Sequence, residues 1–308
     1  CVRCATAVAC LGFCLDGAAK GNEVAVAREH VEFLRAHELP RGSRTAEGLP
    51  PGVSAALLSR DGETGAVSYI ADVGPVWHRR ESGYFTAPVE ILVLNGALTV
   101  GTETLSRGCY SYLPSGVCHG PMRSDQGAEF FLMFDGSPTF VLAERDAPRA
   151  KNNLAIRNLD LLSMPWSESK AHAGRPKEEI PPGLKVKYIR SDPETGAYSL
   201  MCYQQPMWRD RKLEVHDTWE ELILLEGDYQ MGLAGMVTGG TYIFRQGLIP
   251  HGPQATRFGS VWFGRGEKEI NFDYQEVDWA DDMIADYLSN AAVAVKAADT
   301  QPWGPWRG

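Results

Sequence analysis

The stretch Glu214–His251, EVHDTWEELILLEGDYQMGLAGMVTGGTYIFRQGLIPH, decides how this chain is read. Glu214 and His216 alternate with one residue between them, so on a strand they share a face. Glu221 opens the apolar run Leu222–Leu225, which Gly227 closes. His251 arrives a hairpin later, after Gly240 and Gly247. Imidazoles and carboxylates gathered by short strands make a site for a divalent transition metal. The ordinary alternative is a set of polar residues at a barrel mouth.

The chain repeats itself around this stretch. Leu49–Trp77 reads LPPGVSAALLSRDGETGAVSYIADVGPVW, and Ile180–Trp208 reads IPPGLKVKYIRSDPETGAYSLMCYQQPMW. The same offset carries Glu90 onto Glu221 and Gly96 onto Gly227. With one inserted residue, Gly108 falls on Gly240 and His119 on His251, and both histidines are followed by Gly-Pro. A repeat sought before finer detail sets the architecture: two copies of one β-rich plan.

These motifs resemble those of the cupin superfamily, H-x-H-x(3,4)-E-x(6)-G and G-x(5)-P-x-G-x(2)-H-x(3)-N. The first appears as Glu214-x-His216-x(4)-Glu221-x(5)-Gly227, with glutamate where the first histidine is usual. The second appears as Gly240 to His251, with Gln246 in place of proline. The first copy carries the second motif up to its histidine, as Gly108, Pro114, Gly116 and His119. The resemblance covers most of the chain. It implies an all-β bicupin: two tandem jelly-roll barrels, short lead-in segments and a C-terminal helix.

The bulk of the chain agrees. A length of 308 residues suits two domains, and 44% hydrophobic with 22% charged residues suits a globular protein. The expected division is a leader at 1–24, an N-terminal barrel at 25–150, a C-terminal barrel at 151–275, and a helix with tail at 276–308. A net charge of −9 argues against a broad phosphate-binding face, hence against nucleic acid. No apolar run is long enough to span a membrane. Cys1, Cys4, Cys10 and Cys14 crowd the leader, which reads as disordered, as part of a longer reading frame, as a signal remnant, as a lipid-modified Cys1, or as a cysteine metal site. A cytoplasmic location is favoured, or secretion if the leader is a signal remnant.

Short strands fill the rest. Val53–Leu58 and Ala66–Val73 flank a DGETG turn, and Leu184–Ile189 and Ala197–Tyr203 flank DPETG. Val24–His37 has a helix-like pattern ended by Pro40, matched by the lead-in Ile156–Trp166. Asp282–Ala298 reads as the C-terminal helix, and the tail from Pro302 as loose or surface-lying. The run Leu222–Leu225 is apolar on both strand faces, so both must be covered, by the other barrel or by a second chain in a homo-oligomer.

The chemistry falls on the second barrel. His216, Glu221 and His251 form a 2-His-1-carboxylate set, with Glu214 as a fourth ligand, and favour Fe(II) or Mn(II), with Zn as an alternative. Arg245, Tyr229 and Tyr242 are candidates for holding a small-molecule substrate. In the first barrel Gly83 and Phe85 match Glu214 and His216, leaving Glu90 and His119, with His78 nearby, as a weak site. The cupin resemblance implies a metal-dependent dioxygenase, or a lyase or isomerase using the metal as Lewis acid. Other classes it leaves open are a metal-dependent sensor, similar to the cupin domains of zinc-binding anti-sigma factors, and a non-catalytic binding bicupin.

Overall fold

The strand Glu220–Met231 is buried on both faces, because its side chains alternate between two separate cores. Leu224 joins Trp208, Tyr229, Ile243 and Trp262 inside a barrel. Ile223 and Leu225 join a different cluster that also holds Leu92, Tyr110, Phe131 and Met133 from the first half of the chain. The computed structural model describes residues 28–42, 48–169, 175–289 and 300–307. The leader cysteines, the start of the lead-in at 24–27 and most of the expected helix beyond Ser289 lie outside these residues.

The molecule is all-β, two tandem jelly-roll barrels, with a C-terminal helix at Ala280–Ser289. In the first sheet the order is Ile156–Asp160, Cys109–Leu113, Val89–Val100, Met122–Phe134, Val67–Arg79 and Val53–Arg60. In the second it is Val31–Arg35, Thr241–Arg245, Glu220–Met231, Ser260–Gly266, Tyr198–Gln204 and Leu184–Ser191, ending on Ser167–Glu168. The two orders correspond strand for strand. Both hairpin turns are built by one aspartate: Asp61 accepts from the backbone N–H of Glu63 and Thr64, and Asp192 from those of Glu194 and Thr195.

The lead-ins are strands, not a helix. Val31–Arg35 pairs with Thr241–Arg245, and Ile156–Asp160 pairs with Cys109–Leu113. Each lead-in therefore closes the sheet of the other half. The edge strands offer open backbone groups, and pairing with them outweighs the weak helical pattern of Val24–His37. A bulge bends each one, at Phe33 with φ 56° and at Asn158 with φ 49°.

The face of the second barrel that meets the first is thus covered within one chain. Buried apolar side chains such as those at this interface each contribute roughly 1.5–3 kcal/mol when withdrawn from water. Charge is buried there too. Glu221 accepts from Arg28 Nη2 at 3.0 Å and Arg265 Nε at 2.7 Å, and Glu90 accepts from Arg190 Nη2 at 3.2 Å. The tail is not loose: Trp303 and Trp306 are buried in the same interface cluster.

Candidate metal centre

Backbone pairing sets Glu214 beside His251 before any side chain is considered. Glu214 N–H donates to the His251 carbonyl at 2.9 Å, and His251 N–H donates back at 3.0 Å. The short strand Leu213–His216 is held on its other edge by Phe272–Gln275, with His216 opposite Phe272. His216 and His251 meet edge to face, with ring centroids 5.0 Å apart. The strand Glu220–Met231 brings Glu220 to them, and ligand atoms of His216, Glu220 and His251 all lie within 4.8 Å of one another.

The imidazoles are oriented from behind. His216 Nδ1 lies 2.7 Å from the Thr218 carbonyl and His251 Nδ1 3.0 Å from that of Ile249. A carbonyl only accepts, so each Nδ1 carries the hydrogen and each Nε2 presents a lone pair. Both Nε2 atoms are buried without a hydrogen-bond partner among the described residues. Their neighbours are carboxylates instead. Glu220 Oε2 is 3.6 Å from His216 Nε2, Glu220 Oε1 is 3.6 Å from His251 Nε2, and Glu214 Oε1 is 2.9 Å from His251 Nε2. That last contact is short but lacks hydrogen-bond geometry. Lone pairs and anionic oxygens facing one another fit a divalent cation, and imidazole with carboxylate suits a transition ion.

Electrostatics point the same way. Burial works to raise the Glu220 pKa, but His216 beside it and the Arg245 guanidinium hold it well below the ordinary carboxylate range. Burial works to lower His216, yet Glu220 beside it leaves the pKa raised. The field that draws a proton to His216 draws a metal ion equally. Around the carboxylates, Arg245 donates to Glu220 and to Glu32, and Gln254 Nε2 donates to Glu214 Oε1 at 2.6 Å. Tyr229 O–H donates to the other end of the Gln254 amide. Such supporting contacts orient metal ligands.

Three sequence expectations are corrected here. Glu221 does not join the histidines. Its side chain leaves the opposite face of the strand, where Arg28, Arg265 and Tyr242 hold it and, against the effect of burial, keep its pKa down at about 2. Glu220 takes its place at the site. Tyr242 is absent from the cavity wall, since its hydroxyl is bound to Glu221 and Ser59 in the inter-barrel interface. In the first barrel Glu90 likewise turns to the interface, bound by Tyr110, Ser199 and Arg190, and does not pair with His119. His119 stacks on Phe85 and meets Phe140 edge-on, while His78 is exposed.

The expected residues Glu214, His251, Arg245 and Tyr229 do share one space. It is a cavity of about 810 Å³ in the second barrel, lined also by Val186, Leu222, Trp208, Trp262 and Phe272. Volumes of this order receive small organic ligands. Tyr203 packs with Trp166, and Arg211 is a surface residue paired with Asp281 at 2.6 Å.

Comparison with known proteins gives a family and a fold. The model of a domain of unknown function, DUF4437, matches residues 46–273. No curated protein matches the sequence. A solved Nostoc punctiforme protein, named as a candidate dioxygenase, superimposes with a TM-score of 0.67 at 23% identity, over 78% of this chain and 82% of that one. A variant of Bacillus subtilis oxalate decarboxylase gives 0.52 at 15% identity, over 86% and 84%. The same enzyme at pH 4.6 gives 0.50 at 14% identity, over 86% and 83%. At these identities the likeness shows the cupin fold.

Proposed function

This chain belongs to the DUF4437 family, and we propose that it is a metal-dependent bicupin enzyme, an oxygenase acting on a small organic substrate that chelates through oxygen. The observation that carries this reading is the pair of buried, unpartnered Nε2 atoms of His216 and His251 facing Glu220 and Glu214 at the head of a cavity. Matching strand orders in the two halves, and a Gly-Pro step after each of His119 and His251, support descent of both barrels from one plan.

A divalent transition ion, Fe(II) or Mn(II) in preference to Zn, would be held by His216, His251, Glu220 and Glu214, and supplies redox chemistry with room for exchangeable ligands. The protein does the rest. The Thr218 and Ile249 carbonyls fix the imidazole tautomers. Arg245 and Gln254 hold the two carboxylates in place. The apolar wall orients the substrate and excludes water from the reacting atoms.

The first half is read as a structural partner. At the positions matching Glu214, His216 and Glu220 it has Gly83, Phe85 and Val89, which offer no ligand.

The test is elemental analysis of purified protein, wild type against His251→Ala, followed by oxygen uptake with diketone and catechol-like compounds. About one metal ion per chain is expected, lost in the variant. Protein without bound transition metal after loading with Fe(II) or Mn(II) would end this reading. Metal without oxygen uptake would favour lyase or isomerase chemistry at the same centre.

A further inference from the structure

We infer that the second-barrel cavity selects a molecule with an apolar, aromatic-sized body and no more than one negative charge; this rests on the metal-centre reading above. The polar groups cluster at one end of the cavity, where Glu214, Glu220, His251, Arg245 and Gln254 meet. Away from that end the wall is mainly apolar, with Leu184, Val186, Leu200 and Trp262, interrupted by Ser199 and Gln204. A guest with its oxygens at the head therefore meets mostly carbon along the rest of the wall.

Charge sets the second limit. Among the described residues, the arginines on the cavity wall are Arg190 and Arg245. Arg190 is bound to Glu90, and Arg245 is bound to both Glu220 and Glu32. Each is already charge-paired with a carboxylate, although its Nε has no hydrogen-bond partner among the described residues, so a second carboxylate would share a charge already compensated. A divalent ion is balanced by Glu214 and Glu220, and Arg245 is balanced by Glu32. The head of the cavity is then neutral before any substrate enters. A neutral chelator, or one that ionises once as an enolate or phenolate, fits such a site. A dicarboxylate brings a second charge with no partner, into surroundings where an unpaired charge is costly.

The first barrel carries an aromatic ring at the position where the second carries His216. There Phe85 packs edge-on against Phe134 and Phe140, with centroids 4.8 and 5.0 Å away, and stacks on His119. Phe85 stands opposite Phe140 as His216 stands opposite Phe272. One half closes its barrel with its own aromatic rings. The other places an imidazole at His216 and keeps a cavity beside it, with Phe272 on its wall.

Calorimetric titration of metal-loaded protein tests this with 1-phenyl-1,3-butanedione, acetylacetone and malonate. The phenyl diketone should bind at least about tenfold more tightly than acetylacetone and than malonate. Val186→Phe, which narrows the apolar end away from the ligands, should keep its metal but lose about tenfold in affinity for the phenyl compound, leaving acetylacetone unchanged. Malonate binding as tightly as the phenyl diketone, or a Val186→Phe variant that binds it like wild type, overturns the inference. Metal content measured on the same samples keeps the two readings apart. Absent metal with the phenyl diketone still preferred to malonate sinks the metal centre alone; full metal with malonate preferred sinks the substrate class alone.

Discussion

Glu220 and Glu221 are consecutive in the chain and serve different compartments. Glu220 Oε2 lies 3.6 Å from His216 Nε2 at the head of the cavity, while Glu221 Oε2 accepts from Arg265 Nε at 2.7 Å in the inter-barrel interface. Strand alternation forces the separation. Within Glu220–Met231, Glu220 and Leu222 face the cavity while Glu221 and Ile223 face the interface.

Paired amide substitutions separate the two roles. Glu220→Gln removes a charged ligand, and metal affinity should fall at least about tenfold. Glu221→Gln should keep its metal but leave Arg28 and Arg265 short of a counter-charge, at a cost of roughly 3–5 kcal/mol. Elemental analysis and urea unfolding of the metal-free proteins read these outcomes. The reverse pattern would return Glu221 to the metal.

Gln254 offers a milder perturbation. Its amide joins Tyr229 O–H to Glu214, so it sets the carboxylate without touching the ion. Gln254→Ala should weaken metal binding by about tenfold. Competition with a chelator of known affinity measures this, and unchanged affinity would remove Glu214 from the ligand set.

Much of this was legible in the residues. The offset between Leu49–Trp77 and Ile180–Trp208 announced two similar halves, and the Gly-Pro after each histidine placed His251. Glu220 is also legible in the motif. Taking it as the motif carboxylate gives Glu214-x-His216-x(3)-Glu220-x(6)-Gly227, which restores the usual gap to Gly227 and the correct strand parity. The internal offset favoured Glu221 instead, because Glu90 matches it. That match is real but belongs to the interface, where Glu90 and Glu221 both meet Arg265. The lead-in strands were not legible, since their conformation comes from distant partners at Thr241–Arg245 and Cys109–Leu113. Tyr242 faced the wrong core for the same reason: alternation is readable locally, but which face is the cavity is not.

His119 gives a pH dependence. Burial, partly offset by the Val117 carbonyl, lowers its pKa from 6.5 to about 4. In the unfolded chain His119 takes up a proton below pH 6.5, whereas the folded protein resists until about pH 4. The stability it confers is therefore full above pH 6.5 and is lost as pH falls toward 4, by roughly 3 kcal/mol in total. His119→Phe should flatten that part of the profile. Urea midpoints of the metal-free proteins at pH 7 and pH 4.5 test it, and parallel declines in both proteins would mean His119 is not held neutral.

The tail makes the last case. Trp306 is fully buried in the cluster that joins the barrels, and its backbone N–H donates to Glu226 Oε2 at 2.6 Å. Trp303 Nε1 donates to Glu129 Oε2 at 3.0 Å, so the tail is tied to strands from both halves. Truncating an indole from such a site removes its burial and leaves a cavity, a loss of about 3–5 kcal/mol. Trp306→Ala should therefore unfold at markedly lower urea than wild type, while Met207→Ala, at an exposed position, should stay within about 0.5 kcal/mol. Metal stoichiometry of the folded Trp306→Ala protein should remain that of wild type, because the interface cluster and the His216–His251 site lie on opposite faces of the strand Glu220–Met231. A Trp306→Ala protein as stable as wild type would mean that the barrels are joined without the tail.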